Sequence, residues 1–383
     1  MQKTEVSATR KTIRPLWSVI LADLLLTLLI LGGWLMTRWI SIHRMADAYQ
    51  QEPLPETTVT AVSSPAPGEL PAVAPPTSAP SPAEPANPPE SVPETTPETT
   101  AEPLPGTEET RTPWQIRFAE QFTPEVETGE GYYTSPNVSV HVSRHTYEGR
   151  EGTTVFYVAD IYVARIECLR SYFAGGNEFP YTTDGMIKMS RGSGAVIAVN
   201  GDYCGLSYGG TVLRNGKFLY SDNIGNDVCL LYRDGRMECP ALRRFDLADY
   251  QGENELWQVW TFGPALLDGN GRALSIEEMN RSSTSRPENP RTALGYYEPG
   301  HYCFIVADGR DGDYSAGLWL EEFAEVCALA GCAQAYNMDG GGSSMMVMND
   351  AFVNQPSSGG RRGIPDIILI ADLADPADKE TEK

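Results

Sequence analysis

The chain has 383 residues, with 51 acidic and 29 basic side chains, and a formal net charge of −22. Of its 29 prolines, 17 lie between residues 52 and 113, and residues 51–110 hold ten carboxylates and no Lys or Arg. Such a charge argues against a nucleic-acid partner, because binding to phosphates depends on cations that displace counterions. The remaining sequence reads as one globular domain with its own core.

The first organised segment is an apolar run over residues 16–36, long enough to cross a bilayer as a helix. More Lys and Arg precede the run than follow it, which predicts a cytoplasmic N-terminus over residues 1–15 and everything after the helix outside the cell. A signal peptide cleaved after Ala46-Asp47-Ala48 is the alternative. We favour a single-pass, uncleaved anchor over residues 16–40, because the apolar run is longer than a signal core.

Residues 41–113 are rich in Pro, Glu and Thr and are predicted to be a disordered linker. Prolines and like charges keep such a segment extended, so it would hold the following domain away from the membrane. The globular domain is predicted over residues 114–375, followed by a charged tail over residues 376–383.

Apolar runs predict most of the strands of this domain. They cover residues 138–142, 154–163, 195–199, 302–306 and 366–371. A hairpin with Asp234-Gly235 as a two-residue turn is predicted between residues 230–233 and 236–239. Many strands with one or two helices indicate an α+β domain around a mixed β-sheet.

The clearest helix is predicted over residues 316–329, and Gly331 follows it as a suitable stop. Its apolar face, at helical spacing, consists of Leu320, Phe323, Ala324, Cys327 and Ala330.

The seven cysteines form no Cys-x-x-Cys pair and have no His partners at zinc spacing. A disulfide framework is not implied for a domain of this size, and buried free thiols are expected. With a two-residue turn at Asp234-Gly235, Cys229 and Cys239 would lie diagonally across the hairpin, which disfavours a bridge between them.

Polar clusters follow several of the apolar runs, as expected when active-site side chains lie in loops at strand ends. Asn200-Gly201 follows residues 195–199 and is also typical of a simple turn. Arg291 follows a loop rich in Ser, Pro and Asn; its donors suit phosphate, although a loop arginine is more often solvated or ion-paired. Asp308 follows residues 302–306. Glu322 lies off the apolar helix face, where an exposed carboxylate is the ordinary alternative.

Residues 339–344, here called the Gly-rich loop, carry the most informative cluster, Asp-Gly-Gly-Gly-Ser-Ser. Glycine costs about 0.5–1 kcal/mol relative to alanine in regular structure. Three in a row are favoured where backbone N–H groups approach a ligand, as in an anion-holding nest. A nucleotide-binding loop is excluded, because no Lys follows the glycines and a strand follows where a helix is required. The Gly-x-Ser-x-Gly nucleophile elbow is absent.

In this order, the clusters resemble the motifs of the phosphodiester glycosidase family over roughly residues 130–373. The motifs are Asn200-Gly-Asp-Tyr203, Phe262-Gly-Pro264, Arg291-Thr-Ala-Leu-Gly295, Ala307-Asp-Gly309, Gly317-Leu-Trp-Leu-Glu-Glu322, Asn337-Met-Asp-Gly-Gly-Gly-Ser-Ser344 and Asn354. Asp202 and Cys204 depart from the family pattern, which has a glycine and an aromatic residue at these positions.

The resemblance implies a hydrolase that cleaves the sugar–phosphate bond of a glycosyl phosphodiester, and we expect its substrate among cell-envelope glycopolymers or exopolysaccharide. It assigns catalytic roles to Asp339, Glu322 and Asp308. The predicted substrate-binding residues are Asn200, Tyr203, Arg291, Asn337, Gly340, Gly341, Gly342, Ser343, Ser344 and Asn354. No cofactor is expected: a divalent cation has no dedicated ligand signature here. The alternative is a non-catalytic module that binds cell-surface polymers.

Overall fold

The computed structural model describes residues 111–176, 182–204, 210–221, 227–242, 244–279 and 288–373. These residues lie in one compact unit, Glu94–Lys383. The predicted anchor, nearly all of the predicted linker and the charged tail lie outside the described residues. Within the described ranges, no helix is long and apolar enough to span a membrane.

Strands occur along the whole of the described sequence. The strands are β1 (Glu127–Gly129), β2 (Tyr132–Thr134), β3 (Val138–Gly149), β4 (Gly152–Val163), β5 (Leu169–Phe173), β6 (Ala195–Asn200), β7 (Thr211–Arg214), β8 (Lys217–Ser221), β9 (Cys229–Tyr232), β10 (Met237–Glu238), β11 (Leu256–Trp260), β12 (Arg291–Glu298), β13 (His301–Ala307), β14 (Gln334–Asn337), β15 (Met346–Met348), β16 (Ala351–Phe352) and β17 (Asp366–Ala371). The predicted strands are confirmed within two residues at each end, except that β3 continues seven residues beyond the predicted end at residue 142. Several other strands, β5, β7, β8 and β11 among them, were not predicted.

The α-helices of the described residues are α1 (Pro113–Arg117), α2 (Met186–Ser193) and α3 (Leu320–Leu329). Helix α3 begins four residues later than predicted, because Gly317 has a φ of +103° and the Trp319 N–H donates to Glu322 Oε2 (2.8 Å), which caps the helix at this point. Its predicted apolar face is confirmed for the buried residues Leu320, Phe323, Ala324 and Cys327.

The strands pair into three sheets. A seven-stranded sheet has the order β1-β2-β3-β4-β13-β12-β14, and two five-stranded sheets have the orders β10-β9-β11-β7-β8 and β16-β15-β6-β17-β5. Every strand pair among the described residues is antiparallel, so the predicted mixed sheet is wrong. Short turns such as the one between β3 and β4 join neighbours directly, whereas parallel pairs need long crossovers. The domain is mostly β-sheet with few helices.

The main core lies where the three sheets face one another. It contains Ile161 and Phe304 of the seven-stranded sheet, Ile197 and Ile368 of β6 and β17, and Trp260 of β11. Helix α3 packs on the outer face of the seven-stranded sheet, and α2 packs on the outer face of the β6–β17 sheet. Each of these helices therefore covers the side of its sheet that faces away from the main core.

The β9–β10 hairpin differs from the prediction by one residue of register. Tyr232 N–H donates to Arg236 O (2.9 Å), and Gly235 has a φ of +86°. The turn therefore contains three residues, not two, and its last position is glycine, the residue that adopts positive φ without strain.

Candidate functional site

Polar side chains meet at one end of the seven-stranded sheet. Arg291 begins β12 opposite Ala307 at the end of β13, and Asn337 ends β14 opposite Ala293. Asp308 follows β13 directly. The antiparallel pairing thus brings three sequence-distant motifs together, as predicted for strand ends, although Arg291 lies on a strand and not in a loop.

Asn200 connects these strand ends to the Gly-rich loop. Its Nδ2 donates to the Asp339 carbonyl oxygen (2.6 Å), while its Oδ1 accepts from Thr292 Oγ1 (2.8 Å) and from the Met345 N–H (3.2 Å). The side chain is 1% exposed. Asn200 therefore fixes both ends of the loop from inside, and in this structure it is a positioning residue.

The backbone of the Gly-rich loop forms a 3-10 turn at Gly341–Ser343. Five of its N–H groups donate within the protein: Asp339 to Gly201 O (3.2 Å), Gly340 to Asp339 Oδ1 (2.9 Å), Gly341 to Pro290 O (2.9 Å), Ser343 to Gly340 O (3.3 Å) and Ser344 to Gly341 O (3.1 Å). These amides are engaged within the protein, so the structure does not show an anion nest built from them, and phosphate binding by the loop backbone stays a prediction.

The glycines instead leave room for two arginine side chains. A Cβ on Gly341 would lie 2.7 Å from Arg310 Nη2, and a Cβ on Gly342 would lie 3.2 Å from Arg362 Cδ. Arg362 Nε donates to Ser343 Oγ (2.8 Å). The loop therefore has guanidinium groups packed against it, which supply the positive charge that the amides do not.

Neither Arg310 nor Arg362 was among the binding residues predicted from the sequence. The Arg361-Arg362-Gly363 run was the available signal, but nothing local distinguishes it from an exposed basic pair. Arg310 has a φ of +66°, and its Nε donates to Asn289 Oδ1 (3.0 Å), which holds the side chain beside the loop.

Asp339 is the carboxylate at the beginning of this loop. Its Oδ1 accepts from the Gly340 N–H, and its Oδ2 has no hydrogen-bond partner among the described residues. Burial raises the pKa of Asp339, and Asp202 nearby raises it further, while the Ser343 hydroxyl and Arg362 partly offset this rise. A half-buried carboxyl with a raised pKa beside arginines is suited to proton transfer.

Arg291 lies at the start of β12, close to Arg310. It is 6% exposed, and its Nε donates to Leu318 O (3.1 Å). Burial lowers the pKa of Arg291 to about 10, and the like charge of Arg310 contributes. The guanidinium is still charged at neutral pH and contributes positive charge at this end of the sheet.

Asp308 reaches the Gly-rich loop through Asn354. Asp308 Oδ1 accepts from Asn354 Nδ2 (2.7 Å), and the same Nδ2 donates to Ser344 O (3.1 Å). Asp308 Oδ2 accepts from the Gln355 N–H (2.9 Å) and from Tyr314 Oη (3.1 Å). Burial raises the pKa of Asp308. With both oxygens engaged, Asp308 and Asn354 act here as supports of the loop.

Glu322 is held by a different set of contacts. Its Oε1 accepts from the Arg150 N–H (2.7 Å) in the β3–β4 turn, and its Oε2 accepts from the Trp319 N–H. The residue is 4% exposed, so the alternative of an ordinary solvent-exposed carboxylate is wrong. The carboxylate caps α3 and fastens the hairpin, and none of its hydrogen bonds leads to the Gly-rich loop.

Replacing Glu322 by Ala is expected to lower the free energy of unfolding by about 0.5–2 kcal/mol, because two partly buried backbone N–H groups, those of Arg150 and Trp319, lose their acceptor. Glu325→Ala, on the exposed side of the same helix, is the control and should change stability much less. Thermal unfolding measures both. A large loss of turnover at unchanged stability in the Glu322 variant would return this residue to the catalytic group.

Two other predicted binding residues have distinct surroundings. Asn337 Nδ2 donates to Gly263 O (2.8 Å), while its buried Oδ1 has no hydrogen-bond partner in the part of the chain that the structure describes. Tyr203 is partly buried with a φ of +62°. Substrate contact by either residue stays a prediction.

Asp202 and Cys204 lie in a buried cluster with Asp366 and Arg214. The ligand atoms of Asp202, Cys204 and Asp366 all lie within 4.8 Å of one another, the spacing of a metal site. Arg214 Nη2, however, lies 2.7 Å from Asp202 Oδ1 and 3.4 Å from Asp366 Oδ2. This guanidinium balances one carboxylate charge, and burial together with the Asp202 charge raises the pKa of Asp366 to about 7. The guanidinium would also repel a metal ion, so the cluster does not fit one.

Comparisons with known proteins agree with this architecture. A family model described as phosphodiester glycosidase matches residues 193–371. The chain is 24% identical over 258 residues to the SPbeta prophage-derived uncharacterized protein YomE of Bacillus subtilis (strain 168), covering 65% of this chain and 38% of that protein. It is 28% identical over 184 residues to N-acetylglucosamine-1-phosphodiester alpha-N-acetylglucosaminidase of Bos taurus, covering 44% of this chain and 34% of that enzyme.

Among solved structures, the catalytic domain of the zebrafish N-acetylglucosamine-1-phosphodiester alpha-N-acetylglucosaminidase has the same fold. The TM-score is 0.53 at 19% identity, and the match covers 65% of this chain and 88% of that domain. The chain thus spans little more than a third of the length of the full-length relatives that it matches. The match to the phosphodiester glycosidase model covers residues 193–371, a little under half of this chain.

Proposed function

We propose that this domain hydrolyses the bond between a sugar and phosphate in a glycosyl phosphodiester. The observation that carries the proposal is the Gly-rich loop itself. It places a half-buried carboxyl, Asp339, next to a cluster of guanidinium groups packed against Gly341 and Gly342. A carboxylate and a phosphate-binding cluster on one loop match the two ends of a sugar–phosphate bond.

Arg310 and Arg362 are the groups that we assign to the phosphate, with Arg291 adding positive charge from behind. Guanidinium groups match the geometry of phosphate oxygens and hold them by charge-assisted hydrogen bonds. As the bond breaks, the phosphodiester becomes a phosphomonoester and gains negative charge. The arginines stabilise that charge, so the leaving group needs little proton donation.

Asp339 acts on the sugar side. A water molecule attacks the anomeric carbon, Asp339 accepts a proton from it, and the bond from that carbon to the phosphate oxygen breaks. The raised pKa makes Asp339 a stronger base than an ordinary aspartate, and its charge stabilises an oxocarbenium-like transition state.

A hollow of about 430 Å³ lies beside Arg310, and Asp339 is not among its lining residues. We assign it to the alcohol side of the phosphate, where Glu151, Glu288, Asn289 and Asp311 can accept hydrogen bonds from hydroxyls of that group. Arg310 lies between this hollow and the Gly-rich loop, as expected for a residue that contacts the phosphate in the middle of the substrate.

The test is incubation of the purified protein with a panel of sugar-1-phosphodiesters that differ in sugar and in the alcohol on the phosphate. We expect free sugar and a phosphomonoester in equal amounts. Saturable binding of the same compounds without product would overturn the proposal and favour a non-catalytic polymer-binding module.

We further propose that the domain acts outside the cell on envelope glycopolymers or exopolysaccharide. The support is the apolar run over residues 16–36, with more positive charge before it than after it, and the Pro-rich segment that follows. Protease treatment of intact cells tests this. Loss of the domain from intact cells supports the proposal, and protection until lysis overturns it.

A further inference from the structure

Two pairs of cysteine thiols lie next to each other in the described domain, although all seven cysteines are present as free thiols. Cys303 Sγ and Cys332 Sγ are 3.4 Å apart, and both residues are buried. Cys303 belongs to β13, and Cys332 follows the end of α3. The contact joins the seven-stranded sheet to the segment that leads from the helix into β14.

Gly295 of the Arg291-Thr-Ala-Leu-Gly295 motif explains how the two sulfurs fit. It pairs with Cys303 across the β12–β13 ladder. A Cβ on Gly295 would lie 2.5 Å from Cys303 Sγ and 2.7 Å from Cys332 Sγ. The absence of a side chain therefore creates the space that both sulfurs occupy, and no atom stands between them.

The second pair follows from the corrected register of the β9–β10 hairpin. Tyr232 N–H donates to Arg236 O and Val228 N–H donates to Pro240 O, both at 2.9 Å. These two hydrogen-bonded positions place Cys229 directly opposite Cys239, in a pair without backbone hydrogen bonds. Such pairs have Cα atoms about 4.5 Å apart, which lies within the range of about 4.4–6.8 Å for disulfides.

We infer that the domain is a substrate for thiol oxidation at two sites and carries the disulfides Cys303–Cys332 and Cys229–Cys239 after folding under oxidising conditions. In each reaction two thiols lose two protons and two electrons and form one S–S bond. An external disulfide, such as oxidised glutathione or the disulfide of an oxidoreductase, takes them up and becomes two thiols.

The burial of the cysteine thiols indicates when the two disulfides form. Burial and the neighbouring thiol raise the pKa of both Cys229 and Cys303, so the reactive thiolates are scarce in the folded domain. Oxidation is therefore expected while the chain folds. The bridge between residues 303 and 332 would close the segment that contains Asp308, Arg310 and α3, and so restrain that segment.

The experiment is thiol mapping of the full chain produced in an oxidising compartment. Free thiols are alkylated with iodoacetamide in denaturant, and the digest is analysed by mass spectrometry. We expect one linked peptide pair for each site, each 2 Da lighter than its two reduced peptides combined. Recovery of Cys303 and Cys332 in alkylated form overturns the first bridge, and the same result for Cys229 and Cys239 overturns the second.

Single cysteine variants distinguish the two proposed disulfides from other pairings of the same cysteines. Cys327 lies in the same core cluster as Cys303 and Cys332, so Cys327→Ala should retain both bridges, whereas Cys303→Ala should lose only the first. A Cys303–Cys327 link in the unmodified chain would contradict the assignment. Reduction of the oxidised protein should lower its Tm by about 5–10 °C, and an unchanged Tm would contradict the expected restraint.

Discussion

Replacing Asp339 by Asn is expected to lower kcat for a glycosyl phosphodiester by a factor of about 10²–10⁴, the usual contribution of a general base. The amide is similar in shape but accepts no proton from water and offers no charge to the sugar. KM should change little, because the proposed phosphate ligands Arg310 and Arg362 are untouched. Steady-state kinetics, with circular dichroism to check the fold, measure this result.

The Asp339 variant needs a control in which another buried carboxylate is replaced by its amide. Glu322→Gln keeps the size and one acceptor of the helix cap and should retain kcat within a few-fold. If the two variants lost activity equally, the assignment of Asp339 as the single base would fail. Full activity in Asp339→Asn would remove Asp339 from the reaction.

Replacing Arg362 by Ala is expected to raise KM for a phosphodiester by about 10- to 100-fold, because a hydrogen bond to a charged group contributes about 1.5–3 kcal/mol. Arg361→Ala is the matched control, since Arg361 is the exposed neighbour of Arg362 in sequence. Equal effects of the two variants would indicate a general loss of positive charge. No effect of Arg362→Ala would exclude it as a phosphate ligand.

The same variant should shift the pH dependence. Arg362 lowers the pKa of Asp339 against the larger effect of burial, so its removal raises that pKa further. If Asp339 acts as the base, activity requires its charged form and falls as the pH drops through its pKa. The acidic limb of the kcat/KM profile should therefore lie above the ordinary range for aspartate and move to higher pH in Arg362→Ala. A shift to lower pH would contradict this account.

Local sequence patterns predicted much of the fold. Continuous apolar runs predicted β4, β6, β13 and β17, and helical spacing predicted the buried face of α3. The positions of Asn200, Asp308 and the Gly-rich loop at strand ends also followed from sequence, because polar residues directly follow the apolar runs there. The ordered motifs together indicated a resemblance to the family whose model matches residues 193–371.

Tertiary structure decided what those side chains touch. Glu322 belongs to a helix cap because Arg150, 172 residues away in sequence, lies against it. The glycines leave room for arginine side chains, and the amides of Gly340 and Gly341 donate to Asp339 and Pro290. One extra residue in a turn places Cys229 opposite Cys239. Each outcome depends on contacts between residues far apart in the chain or on the exact backbone path, and the local pattern of residue types specifies neither.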